Sequence, residues 1–122
     1  RDRDLNTTIA NTDTTNITLG TNVFTLLAGN YFIQWMAPQF GVSTVSNRLY
    51  DGTSSVGLGL SVYSVGTSDT TLSTAYVRVT PSTSTTYQIQ QQCTTTNATY
   101  GFGVSNSFGV EQYTTVLICK ES

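Results

Sequence analysis

Residues able to do chemistry are few in this sequence, and histidine is missing altogether. Without an imidazole there is no Ser-His-Asp or Cys-His relay, and the common zinc ligand sets lose their nitrogen donor. The acids are dispersed. Asp51, Asp69 and Glu111 fall in separate loops, while Asp2, Asp4, Asp13 and Glu121 lie near the termini, so no spacing recommends a glycosidase pair. Gly-Leu-Gly at 57–59 and Gly-Phe-Gly at 101–103 lack both the six-residue dinucleotide fingerprint and a following helix, and read as tight turns or bulges. Asp51 and Asp69 have oxygen-rich neighbours suited to calcium, but in such stretches Asp reads first as a turn former. Asn6, Asn16 and Asn97 begin Asn-x-Thr sequons, as chance supplies in a Thr-rich chain. For Cys93 and Cys119 the spacing gives no Cα separation, and a free, buried Cys93 is preferred to a disulfide. The expectation is therefore a protein that is not an enzyme and carries no cofactor and no metal.

The elements that carry these residues are strands. Tyr-Phe-Ile-Gln-Trp-Met, 31–36, sets Tyr31, Ile33 and Trp35 on one face and Phe32, Gln34 and Met36 on the other, and Pro38 is expected to end it. Residues 74–79 alternate Ala75, Val77 and Val79 against Thr74, Tyr76 and Arg78. Residues 85–93 alternate Tyr87, Ile89 and Cys93 against Gln88, Gln90 and Gln92, whose amides suit a hydrogen-bonded face in solvent or at a subunit contact. The last strand differs, because Val116, Leu117 and Ile118 in succession leave apolar residues on both faces. A strand buried on both sides in so small a sheet needs a second partner, and these three residues are the expected contact between copies. Shorter candidates cover 5–9, 17–19, 23–27, 47–50 and 56–63, separated by Gly, Asn, Asp, Ser and Thr clusters. No stretch reads as a helix. The expectation is an all-β antiparallel sandwich, a jelly roll, in one domain over 1–122.

Composition agrees. Only 10 % of residues are charged and the net charge is −2, which gives no electrostatic footprint for nucleic acid. With 38 % apolar residues and 11 % aromatics the chain can nevertheless form a core. No apolar run nears the roughly 20 residues of a membrane-spanning helix, and no membrane insertion is expected. The chain lacks an initiating Met and is expected to be the C-terminal part of something longer.

Several stretches carry two family likenesses. Val23, Gly29, Tyr31, Phe32 and Ile33, followed by 73–90 and the closing 113–120, resemble the trimeric jelly roll of complement-type heads and tumour necrosis factor-like domains. Residues 28–38, 47–53, 91–96 and above all Gly101–Glu111, "GFGVSNSFGVE", resemble C-terminal head domains of phage tail-fibre and bacterial collagen-like proteins. The likeness implies a homotrimer at the tip of an upstream shaft of the same chain, extracellular on a virion, attaching to a host cell-surface receptor such as a glycan or outer-membrane component. It also implies a packing position for Cys119, where related domains keep an aromatic. A capsid decoration or trimerisation cap without ligand is the alternative. With both termini at one pole, the loops at 37–46, 64–71 and 94–111 share the other. Gln39, Asp69, Asn97, Tyr100 and Asn106 are then the candidate ligand contacts, with Phe102 and Phe108 mainly covering the end of the sandwich.

Overall fold

In the computed structural model, residues 1–63, 70–94, 101–103 and 111–121 are described. Among the described residues nine strands run in chain order: β1 (Ile17–Leu19), β2 (Phe24–Leu26), β3 (Tyr31–Phe40), β4 (Thr44–Tyr50), β5 (Ser55–Leu58), β6 (Val62–Tyr63), β7 (Thr70–Val79), β8 (Thr85–Cys93) and β9 (Thr115–Lys120). They form two antiparallel sheets. The larger has the order β1-β2-β8-β4-β5 with β6 also on β4, and the smaller is β7-β3-β9. The chain is all-β, a β-sandwich as the alternation implied, and no described residue is helical.

Alternation decides which side chains meet between the sheets. From β3 the odd positions Tyr31, Ile33, Trp35 and Ala37 point inward and are fully buried. Phe24 and Leu26 of β2, Leu49 of β4, Val79 of β7, and Tyr87 and Ile89 of β8 meet them, and Leu5 joins from the N-terminal segment. Phe24 and Tyr87 stack across the β2–β8 pair, ring centroids 5.7 Å apart. Burying side chains of this size contributes roughly 1.5–3 kcal/mol each before the cost of ordering them. Two polar atoms in this layer find partners: Tyr31 Oη donates to Leu27 O at 2.9 Å, and Trp35 Nε1 donates to Asn47 Oδ1 at 3.3 Å. Burial, and secondarily Asp13, raises the Tyr31 pKa.

β3 does not stop at Pro38. It continues to Phe40, paired with β7 as far as Phe40↔Thr70, whereas its pairing with β9 ends at Met36↔Thr115. A strand residue directs its N–H and C=O to the same side. The Pro38 carbonyl accepts from Arg3 Nη2 at 2.6 Å, so the N–H that proline lacks would have faced the side where β9 has already ended. The turn follows at Gly41 and Ser43, with φ of 64° and 61°.

The N-terminal segment corrects a second expectation. Residues 5–9 form no strand, and residues 1–3 lie beside β8 where β2 has ended: Arg3 N donates to Ile89 O at 2.7 Å and Gln91 N to Arg1 O at 2.7 Å. Arg1 is thus at the pole that holds Gln91 and Pro38. Glu121 is at the other, its N–H donating to Asn30 O at 2.7 Å. The two ends of the chain lie at opposite poles, because the first residues are drawn to the far end of β8.

A candidate association face on the smaller sheet

The even positions of β3 face away from the core, and register brings their neighbours beside them. Phe32 lies between Arg78 and Cys119, Gln34 between Tyr76 and Leu117, Met36 between Thr74 and Thr115, and Pro38 beside Leu72. Four of these are large apolar groups left in solvent: Tyr76 is 75 % exposed, Leu117 54 %, Leu72 52 % and Met36 42 %. Phe32 and Tyr76 make a tilted ring contact at 6.0 Å. Charge is confined to one end, where Arg78 Nε bonds Glu121 Oε1 at 3.0 Å and the guanidinium lies 5.9 Å from the Phe32 ring centroid. An apolar centre with a charged margin is the layout of a protein–protein contact.

The outer face of the larger sheet is hydrogen-bonded across its middle strands, with Leu58 and Tyr63 exposed toward the β5 and β6 side. Arg48 donates from Nε and Nη2 to Gln90 Oε1 at 2.9 and 2.6 Å, and Gln90 Nε2 donates to Asp2 Oδ1 at 2.9 Å and to Gln88 Oε1 at 3.3 Å. Thr25 and Thr86 share a hydroxyl bond at 2.9 Å across β2 and β8. Gln88 and Gln90 of the glutamine row form the hydrogen-bonded face that their alternation suggested, while Gln92 is exposed. The middle strands of the larger sheet satisfy outer groups within the chain, whereas the smaller sheet leaves apolar side chains uncovered along its central rows.

The three residues expected at a subunit contact divide. Leu117 lies on the outer face, opposite Gln34. Val116 and Ile118 are corrected: they point inward opposite Trp35 and Ile33 and pack against the core. They stay half-exposed because β9 is the edge of its sheet and an open cleft of about 1340 Å³ runs along it. The apolar run does serve both faces, but its outer side is Leu117 alone.

Gln39 is corrected as well. It is not in an exposed loop but inside the extended β3, fully buried, and its neighbours assign the amide orientation in which nitrogen donates to Ala37 O at 2.7 Å and oxygen accepts from Ser73 N at 3.2 Å. Asp69, Asn97, Tyr100, Asn106 and Phe108 lie outside the described residues. Phe102 is half-buried at the pole beneath two cations, with Arg1 and Arg3 4.6 and 4.1 Å from its ring centroid.

Two of the acids that drew attention, Asp51 and Asp13, have structural occupations. Asp51 Oδ1 accepts from Thr53 N at 2.9 Å and Ser54 N at 2.7 Å, the side-chain-capped turn that was preferred to a calcium ligand. These backbone bonds, Ser54 first, hold its pKa below the usual carboxylate value. Asp13 caps its own turn, accepting from Asn16 N at 3.2 Å and Asn16 Nδ2 at 3.0 Å. Gly57 adjoins a β-bulge, since Leu49 pairs with Gly57 and Tyr50 with Ser55, and both glycines are also close-approach positions: a Cβ on Gly57 would lie 3.1 Å from Val77 Cγ1, and one on Gly59 2.8 Å from Asn47 Oδ1. Gly101 and Phe102 do lie in a turn. Both cysteines are free, in different sheets. Cys93 is half-buried and Cys119 exposed, not packed as the family likeness implied.

Sequence reasoning missed Arg3. A fully buried arginine carries no periodic signal, although Gln91, the polar residue at an inward position of β8, was the available sign that something charged lay opposite. Compared with protein-family models, curated proteins and solved structures, the chain matches none.

Proposed function

We propose that this chain is the non-enzymatic head domain of a phage fibre or similar appendage, assembled as a homotrimer and attaching to a cell-surface receptor, a glycan or an outer-membrane component. The observation that carries the reading is the outer face of β7-β3-β9, where Met36, Leu72, Tyr76 and Leu117 are exposed together. The strand orders β1-β2-β8-β4-β5 and β7-β3-β9 support a jelly-roll assignment, and with it the trimeric class that the Gly29–Ile33 stretch resembles. Three weak receptor sites on one rigid head give avidity that a single site lacks.

The ligand-free cap gains support from the pole itself. Gln39 is buried there, and Phe102 is covered by Arg1 and Arg3. Adhesion of the purified domain to host cells, compared with Asn97→Ala and Tyr100→Ala variants of unchanged thermal stability, separates the two. Weakened adhesion supports the receptor reading, and absence of adhesion by the parent domain leaves the cap.

A further inference from the structure

Arg3 is buried completely, and no carboxylate bonds it among the described residues. Its Nε donates to Thr114 Oγ1 at 2.7 Å, Nη1 to Gln91 Oε1, and Nη2 to Pro38 O at 2.6 Å and Phe102 O at 3.1 Å. Its guanidinium also lies over the Phe102 ring. Burial lowers its pKa to about 10, so the group is still a cation at neutral pH. A buried cation with no carboxylate bonded to it among the described residues, and only the negative charge of Asp4 acting on it from nearby, is an expensive way to fill space, and an apolar side chain of similar volume commonly does as well or better. What the guanidinium supplies is direction. Its rigid fork of donors fixes four separate segments at once: the end of β3, β8, the 101–103 turn and the residue before β9.

The backbone that carries Arg3 is lightly held. Residues 1–3 dock on β8 through Arg1 N to Gln91 O at 2.9 Å, Gln91 N to Arg1 O at 2.7 Å and Arg3 N to Ile89 O at 2.7 Å. Asp2 faces outward to Gln90, so Arg3 is the only one of the three whose side chain enters the interior. We propose that residues 1–3 form a latch, in which Arg3 makes the docking of this strap and the placement of the 101–103 turn and Thr114 a single opening unit, separable from the sandwich. When the strap leaves β8, the guanidinium leaves with it, and the turn and the entry to β9 lose a shared partner. A unit bound by few backbone bonds opens below the free energy of global unfolding.

Native-state hydrogen exchange on the whole chain tests this. In the parent protein, amides of Arg3, Gln91 and the 101–103 turn are expected to exchange through one common opening, of lower free energy than that of Ile33 and Trp35 in β3. Arg3→Lys keeps the charge and loses the fork, and is expected to quicken exchange at Gln91 and 101–103 by about tenfold or more while Ile33 and Trp35 keep their rates. Acceleration spread evenly over both sheets makes Arg3 an ordinary core residue and overturns the latch. Acceleration at the strap with the turn unchanged overturns the coupling. Should Arg3→Lys fail to fold, the parent protein decides alone, and exchange of strap and turn only through the opening of β3 contradicts the proposal.

Discussion

Leu117 stands directly across from Gln34 on the outer face of the smaller sheet, in a row completed by Tyr76. Leu117 and Tyr76 are 54 % and 75 % exposed, so a polar residue in this row is flanked on both sides by uncovered apolar groups. One residue away, Val116 lies opposite Trp35 and packs inward. Adjacent side chains on β9 therefore answer to different partners, the core and whatever covers the sheet.

This separation predicts two outcomes from one change. Leu117→Asp is expected to leave the monomer folded and abolish self-association, because a carboxylate buried at a contact costs several kcal/mol while one in solvent costs little. Val116→Asp is expected to destabilise the monomer itself by roughly 1–3 kcal/mol. Denaturant unfolding together with size-exclusion chromatography distinguishes them, and reversed behaviour of the two variants contradicts the assigned faces.

The indole of Trp35 depends on Asn47, whose Oδ1 accepts its N–H at 3.3 Å while its own Nδ2 has no hydrogen-bond partner among the described residues. Asn47→Ala is expected to cost about 1–3 kcal/mol, by stranding a buried donor. Urea unfolding followed by Trp35 fluorescence reads the change. A variant as stable as the parent shows that the bond contributes nothing.

Gly59 and Gly52 test two different needs for glycine. A Cβ on Gly59 would lie 2.8 Å from Asn47 Oδ1 and 3.1 Å from Asn47 O, whereas at Gly52 the space is open but φ is +92°. Gly59→Ala is expected to lose about 1–3 kcal/mol through overpacking, and Gly52→Ala about 1 kcal/mol through backbone strain alone. Thermal unfolding that ranks Gly52→Ala as the worse variant contradicts the packing at Gly59.

Asp51 predicts a pH dependence. Its pKa is lowered in the folded protein by the bonds from Ser54 and Thr53, so the folded state binds this proton less readily than the unfolded chain. The contribution is therefore fully present above the unfolded carboxylate value near 4, and it is lost as pH falls through the folded value. Asp51→Asn should lower the melting temperature at pH 7, and the difference from the parent should close toward pH 2. A constant difference across that range means the carboxylate is not what the turn uses.

Much of this fold was legible because strand alternation is a local signal. The inward set of Tyr31, Ile33 and Trp35, the outward glutamines of β8 and the doubly apolar centre of β9 all follow from a period of two. What failed depended on where other strands end. Pro38 reads as a stop until β9 is seen to finish at Met36, and Gln39 reads as a loop residue for the same reason. Arg3 was illegible because its partners come from positions 38, 91, 102 and 114, a coincidence only the folded chain creates. The outer apolar face was half visible: its even positions could be read from each strand, but their assembly into one surface required the β7-β3-β9 order.

Sedimentation equilibrium of the parent chain at tens of micromolar tests the central claim most directly. The account predicts a single species of three times the 13.2 kDa chain mass, in which Leu72, Tyr76 and Leu117 become protected from solvent labelling. A stable monomer of 13.2 kDa, with those side chains fully accessible, would contradict it.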